Sequence, residues 1–496
     1  MPLGNGTHSN RFHRFVAVQR ITGILLMIFS LTMLPPMAVD LLYENTSLTP
    51  FLMGFLITSS FGLVVWWPAR KAHTDLKTRD GFLVTVVFWL VLSFSGAIPL
   101  HYTHVAWFTY TDSVFEAVSG LTTTGATTVA AGLDNLPHAL KYYRAQLHWL
   151  GGMGIIVLAV AILPMLGVGG MQLYRAETPG PMKNSKLTPR ITETARVLWL
   201  IYVSLTGLCF VSYWLAGMPP FDALCHAFST LATGGFSTHD ASIGYFQDPT
   251  IEWLVMFFML VGTVNFATHF AVWRSRSLRG YWQDSELRTC VGIILGFSAL
   301  VAIPLIVAST YPSVGETVRR VMFHVISFGS TTGFGTDNVS AWPSYAPMML
   351  ILCTFMVGCA GSTAGGVKVV RLMLFVRQAF REIQRLLHPA AQLSIKLDNR
   401  TVDDSVVYAV GGFFSVYIGM TIVLSFAMMA TGLDPVTAFS AVAACINNAG
   451  PGLGEIASSM ASVSIAGKWI LIFSMLLGRL EIFTLLIVFT PSFWKR

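Results

Sequence analysis

Thr122-Thr123-Thr124-Gly125, Ala232-Thr233-Gly234-Gly235, Ser330-Thr331-Thr332-Gly333 and Asn447-Asn448-Ala449-Gly450 are four versions of one phrase, each set between two long apolar segments. Each closes a short apolar run that an acidic residue opens: Asp112, Asp222, Glu316 and Asp434 in turn. The spacing predicts a half-length helix ending in a glycine-bearing extended strand, four times over. Glycine suits such a strand because it has no side chain to clash when neighbouring carbonyls turn toward one axis. Four copies can meet around that axis, which is the layout of an ion filter, and the sequence therefore implies a pore for a bare cation.

The composition agrees. The chain has 496 residues, 54% hydrophobic and 11% charged, with a mean hydropathy of +0.64, which places it in a bilayer. Apolar stretches of the roughly 20 residues that a crossing needs fall near 21–43, 49–67, 81–102, 143–166, 196–217, 250–273, 287–308, 344–367, 406–431 and 466–489, giving ten expected spans. The first stretch follows Arg11, Arg14 and Arg20 and lacks a small-residue cleavage site, so a retained N-terminus is expected. Cys209, Cys225, Cys290, Cys353, Cys359 and Cys445 sit in or beside apolar segments without metal-ligand spacing and read as small buried hydrophobes.

Basic residues set the orientation, because Lys and Arg collect on the cytoplasmic side of short loops. With both termini inside, 25 of the 31 Lys and Arg are cytoplasmic. Lys141, Arg144, Arg319, Arg320 and Lys468 lie outside, and Arg479 falls within a span. The four glycine phrases are then external, together with Asp112, Glu116, Asp134, Asp222, Asp240, Asp248, Glu252, Glu316, Asp337, Asp434 and Glu455, an acidic mouth that concentrates cations. The same inner bias accounts for the net charge of +7, leaving no reason to invoke nucleic acid.

The organisation expected is an all-α membrane protein. Residues 1–78 form an N-terminal transmembrane hairpin, followed by pore repeats over 79–195, 196–285, 286–405 and 406–496. Each repeat reads span, short helix, filter strand, span, so all four share one orientation and surround a pore with fourfold pseudo-symmetry. Non-helical backbone at membrane depth is tolerable only there. The short helices aim their C-terminal ends inward and place partial negative charge where a cation loses its water. The linkers around Pro179, Gly180, Pro181 and Pro189, and from His388 to Asp404, lie inside as contact surfaces for a cytoplasmic partner.

With Gly478-Arg479-Leu480-Glu481-Ile482-Phe483-Thr484 in the last span, the four phrases make the chain resemble the Trk/Ktr/HKT superfamily of cation transporters, most closely its bacterial TrkH/TrkG branch of potassium uptake proteins. The resemblance covers nearly the whole chain, including the N-terminal hairpin. It implies that Gly125, Gly235, Gly333 and Gly450 are filter glycines and that the carbonyls of 122–125, 232–235, 330–333 and 447–450 replace water around K+, the transported ion. Glycine at 125 implies potassium rather than sodium. It further implies a homodimer in the bacterial inner membrane and a TrkA-like cytoplasmic ring that binds ATP/ADP or NAD(H), with no other cofactor in this chain. Asn447 and Asn448, standing where other copies carry threonine, leave the filter asymmetric.

Two elements read as gating parts. Gly358-Cys359-Ala360-Gly361-Ser362-Thr363-Ala364-Gly365-Gly366 is too glycine-rich for a stable helix. By resemblance it is an intramembrane loop that blocks the pore until it moves; close packing of small residues is the other reading. Arg479, expensive within a span, stands either below the filter as an electrostatic barrier facing that loop or in a packing role, for instance with Glu481 or carbonyls. The run Lys368, Arg371, Arg377, Arg381 and Arg385 fits an acidic partner or anionic lipid equally. His148, His226, His269 and His324 read as satisfied core histidines, and Gly167-Val168-Gly169-Gly170 lacks the context of a nucleotide site.

The function expected is channel-like cation uptake without catalysis. An ion-coupled (H+ or Na+) symporter is the alternative; it needs intramembrane carboxylates at broken helices, and Glu481 is the only carboxylate clearly within an expected span. An intramembrane hydrolase needs a constellation such as H-E-x-x-H, which the sequence lacks.

Overall fold

The computed structural model describes residues 6–43, 48–71, 78–103, 109–157, 191–398 and 400–494. Helix α1 (Gly6–Ser30) runs through one 3₁₀ turn into α2 (Leu34–Tyr43) and lies along α3 (Thr49–Ala69). A β-carbon on Gly23 would come within 2.7 Å of Trp66, and one on Gly62 within 3.0 Å of the Gly23 carbonyl oxygen. Van der Waals fit of this kind drives helix association in lipid.

Four units follow. The first holds α4 (Thr78–Tyr102), α5 (Tyr110–Leu121) and α6 (His138–Val157). The second holds α7 (Ile191–Leu215), α8 (Pro220–Leu231), α9 (Pro249–Thr263) and α10 (Phe266–Ser275), with the short α11 (Arg279–Gln283) after it. The third holds α12 (Ser285–Val307), α13 (Val314–Gly329), α14 (Ala346–Cys353) and α15 (Val369–Leu387). A two-stranded antiparallel hairpin, β1 (Lys396–Leu397) with β2 (Arg400–Thr401), falls inside the segment expected to be a linker. The fourth holds α16 (Asp404–Met429), α17 (Pro435–Ile446), α18 (Ile465–Arg479), α19 (Phe483–Phe489) and α20 (Pro491–Trp494).

Two of the acidic residues that open the short helices, Asp112 and Asp434, are capping devices, and the other two lie in the first helical turn. Thr109 and Asp112 form a capping box on α5, Ser313 accepts from the Glu316 N–H on α13, and Asp434 accepts from the N–H groups of Val436 and Thr437 on α17. In α8 a proline start and Asp222 in the first turn serve instead. These helices have 12, 12, 16 and 12 residues, about 18–24 Å at 1.5 Å per residue, short of the ~30 Å hydrocarbon core.

Three of the ten expected spans are not single straight helices, and a fourth, 143–166, runs past the described residues. Among the described residues six helices are long and apolar enough to cross, rising to eight when each of two bent pairs is taken as one span. The stretches 250–273 and 466–489 are broken: α9 and α10 meet at 96°, α18 and α19 at 115°. The stretch 344–367 is helical only over the 8 residues of α14 before the glycine-rich segment begins. Sequence hydropathy does not register these breaks, because the backbone bends without losing apolar character. Residues 158–166, the Gly167–Gly170 cluster and the Pro179–Pro189 linker lie outside the described residues.

Two apolar cores carry the assembly. One joins the hairpin with the first and fourth units through residues such as Phe29, Phe51, Phe115 and Leu477, and the other joins the second and third through Tyr202, Phe258, Phe328 and Leu350. Leu215, Val307 and Phe426 remain exposed on outer helix faces, as in a protein solvated by lipid. All six cysteines are buried and free.

Candidate functional site

The four phrases share one backbone conformation. In the first, the N–H of Thr122 bonds to Val118 O at 2.8 Å, that of Thr123 to Gly120 O at 3.0 Å and that of Thr124 to Ser119 O at 2.8 Å; the other three copies repeat this pattern residue for residue. The second residue is left-handed in every copy (Thr123 φ +52°, Thr233 +51°, Thr331 +57°, Asn448 +52°), as is the glycine (Gly125 +78°, Gly235 +83°, Gly333 +82°, Gly450 +85°). The expected extended strand is thus corrected to an alternating one. Alternation of right- and left-handed residues gathers N–H groups on one side; here they bond back into the short helix. Among the described residues no donor meets the carbonyls of Thr123, Thr124 or Gly125, nor their counterparts in the other copies.

The phrases close into a ring. A β-carbon on Gly125 would lie 1.9 Å from Gly234 O, on Gly235 1.9 Å from Thr332 O, on Gly333 2.4 Å from Ala449 O and on Gly450 2.7 Å from Thr124 O. Each copy abuts the next, and the fourth returns to the first. Contacts this close, at positive φ, leave only glycine.

Side chains behind the ring differ by copy. Hydroxyls pair at 2.7 Å between Thr122 and Thr124 and again between Ser330 and Thr332. In the second copy Ala232 and Gly234 supply none, and a β-carbon on Gly234 would strike His148 Nδ1 at 2.4 Å. His148 stacks on Phe236 with centroids 4.1 Å apart. In the fourth copy Asn447 donates to Thr354 Oγ1 at 2.8 Å and accepts from the Tyr417 hydroxyl. Asn448 donates to Thr124 Oγ1 at 2.9 Å and to Met475 O at 3.0 Å. The two amides therefore tie the fourth copy to its neighbours.

A second set of braces lies nine residues before each glycine, at Glu116, His226 and His324, with Ala441 in the fourth copy. Glu116 accepts from Thr127 Oγ1 and the Thr128 N–H, both at 2.6 Å, and pairs with Arg144 Nε at 3.0 Å. His226 bonds Ser237 Oγ at 2.9 Å, and His324 Nε2 accepts from the Thr336 N–H at 3.3 Å. Sequence reading missed this set; aligning the copies on their glycines would have exposed it.

Above the ring opens a cavity of about 650 Å³ lined by all four glycines and by Asp240 and Asp337. The expected acidic mouth is largely structural, because its carboxylates are engaged. Lys468 holds Asp112 at 2.8 Å, Arg319 and Arg320 hold Glu252 at 3.1 and 3.3 Å, and Asp240 accepts the N–H of Gly132 and Leu133. His239 bridges Asp134 at 2.5 Å and Asp222 at 3.3 Å under the ring of Tyr245. Burial disfavours its charged form, yet its bonds to Asp222 and Asp134 outweigh that and raise its pKa.

Below the ring sits the glycine-rich segment. Gly358, Gly361 and Gly366 are left-handed. Thr363 Oγ1 donates to Leu231 O at 3.0 Å and Gly262 O at 3.1 Å, Ser362 Oγ to Cys359 O at 2.6 Å, and the Gly365 N–H to Thr331 Oγ1 of the ring at 2.8 Å. Arg479, 3% exposed, closes α18 rather than standing mid-helix. It donates to Thr363 O at 3.3 Å and Gly151 O at 3.0 Å, and meets no carboxylate among the described residues. Glu481 pairs instead with Arg371 at 2.7 Å, so of the packing partners weighed for Arg479 the structure shows the carbonyls and not Glu481. The basic run is largely engaged as well: Arg381 with Asp404 at 2.5 Å, Arg385 with Glu382 at 3.1 Å and Arg377 with Lys396 O. Glu286, in the first turn of α12, is fully buried, a carboxylate that the sequence reading did not single out.

Comparison with known proteins places the chain in one family. The TrkH family of cation transport proteins matches residues 47–496. The chain is 50% identical over 481 residues to the Trk system potassium uptake protein TrkH of Salmonella typhimurium, covering 97% of this chain and 99% of the relative. It is 41% identical to TrkG of Escherichia coli, covering 96% and 98%. The crystal structure of the potassium transporter TrkH from Vibrio parahaemolyticus superposes with a TM-score of 0.90 at 46% identity, covering 97% of this chain and all of that one.

Proposed function

The chain belongs to the TrkH family of cation transport proteins, and from that premise we propose that it takes up potassium through a pore whose filter is the ring at Gly125, Gly235, Gly333 and Gly450. The single observation carrying this is the closed ring of four alternating backbones whose carbonyls meet no donor among the described residues. Such carbonyls substitute for the hydration shell of an alkali cation, and the short helices behind them add the negative ends of their dipoles. The relatives TrkH of Salmonella typhimurium and TrkG of Escherichia coli, both Trk system potassium uptake proteins, support potassium as the ion.

In this reading the four units are pore repeats with fourfold pseudo-symmetry, divided at about the boundaries the sequence suggests, and residues 1–78 are an accessory hairpin. Both termini face the cytoplasm of the bacterial inner membrane, as the charge bias requires. The segment from Gly358 to Gly366 gates the path from below, and Arg479 adds a barrier there, because its charge has no carboxylate among the described residues to neutralise it. A second copy and a nucleotide-binding TrkA-like cytoplasmic ring complete the working assembly. No chemical step is needed.

Purified protein in vesicles tests this. Rubidium uptake driven by voltage alone, at uniform pH and sodium, is the expected result. Strict dependence on a proton or sodium gradient would overturn the pore in favour of a coupled carrier.

A further inference from the structure

We propose that Glu286 is the positioning residue that latches the glycine-rich gate shut. The inference rests on the gate reading above. Glu286 Oε1 accepts the Ala360 N–H at 2.8 Å and the Val370 N–H at 3.2 Å. Ala360 stands near the start of the glycine-rich segment and Val370 in the first turn of α15 just beyond its end. One oxygen therefore clips both shoulders of the segment.

The choice of a carboxylate follows from the segment's composition. A run of glycines and small residues offers almost no side chains to grip, so it is held through its backbone, and a backbone N–H needs an acceptor. The Val370 N–H is one of the orphan donors of a helix start, where a negative charge is favoured. Other ties hold single points of the segment: the Cys359 N–H donates to Thr263 O at 3.2 Å, the Phe266 N–H to Gly361 O at 3.1 Å, Thr363 Oγ1 to Leu231 O and Gly262 O, and the Gly365 N–H to Thr331 Oγ1. Among the described residues Glu286 is the side chain that accepts from both ends, beside the backbone bond from the Val369 N–H to Gly358 O at 2.9 Å that closes the base of the segment. Its second oxygen, Oε2, has no hydrogen-bond partner among the described residues. A buried carboxylate left half satisfied stabilises less than an apolar residue of its size, so its value lies in what the bonded oxygen holds.

Removing the acceptor takes one bond from each shoulder at once and leaves the segment on its remaining bonds. Glu286→Ala is expected to raise basal rubidium flux in vesicles, with no partner protein present, by about tenfold or more, the shift expected from losing the two hydrogen bonds from the Ala360 and Val370 N–H groups. Potassium-over-sodium preference stays as in the parent, since the ring is untouched. Glu286→Gln, whose amide oxygen still accepts both N–H groups, returns flux toward the parental level, a rescue that a purely structural role would not require. Should the alanine variant fail to give a monodisperse protein, Glu286→Asp carries the test: its shorter carboxylate loses reach, and raised flux supports the latch while parental flux overturns it. Parental or lower flux in Glu286→Ala beside raised flux in Arg479→Ala overturns the latch and leaves the gate standing. Parental flux in both removes the gate reading and the latch with it.

Discussion

Arg144 and Glu116 are joined at 3.0 Å, with side chains no more than 2% exposed, and the pair ties α6 to the backbone that follows Gly125, the first glycine of the ring. The Glu116 carboxylate also holds the Thr128 N–H at 2.6 Å, and the Arg144 guanidinium lies 4.1 Å over the Phe236 ring that follows Gly235. One ion pair thus sets the mutual position of two filter segments.

Breaking it leaves a buried charge alone. Arg144→Ala is expected to lower stability by about 3–5 kcal/mol, read as denaturant or thermal unfolding in detergent. A loss below about 1 kcal/mol would mean that water or another cation already serves Glu116.

Gly125→Ser introduces a β-carbon where φ is +78° and the Gly234 carbonyl oxygen would be 1.9 Å away. The ring must widen or tilt at that corner. Sodium permeation relative to potassium is expected to rise in vesicle flux assays; unchanged selectivity would count against Gly125 lining the ion path.

Gly234 is small because His148 stands behind it. Gly234→Ala alone is expected to impair folding or flux, since the new β-carbon meets the imidazole at 2.4 Å. Adding His148→Ala is expected to recover part of the loss, with a coupling of about 0.5–3 kcal/mol by a double-mutant cycle. Strict additivity would show that the two residues do not meet.

The outer loop carries a pH dependence. The pKa of His239 is raised in the folded state, so its bridge to Asp222 and Asp134 contributes fully below the ordinary imidazole value near 6.5 and fades as pH rises through the raised folded value. Thermal stability is expected to fall over that interval when scanned across about pH 5 to pH 9, and His239→Gln is expected to flatten the curve. A wild-type curve without that fall would remove the bridge.

The parts legible in the sequence were those written in residue type. Four glycines at recurrent offsets marked the ring, and capping residues marked the starts of the short helices. Apolar length marked the crossings that remain straight. What escaped was written in three dimensions. The bends after Thr263 and Arg479 keep apolar composition on both sides, so hydropathy runs through them. The charged residues of the mouth looked like a collecting field, but their partners lie far along the chain, as with Lys468 and Asp112, 356 residues apart. Glu286 fell one residue outside the expected span, and its partners are backbone amides, which no side-chain pattern records.

The most direct measurement is a crystallographic or cryo-EM map of the protein in rubidium. Rubidium density on the axis of the ring, within coordinating distance of carbonyls contributed by all four phrases, is the result this account predicts. An empty ring with rubidium bound elsewhere in the membrane region would contradict it.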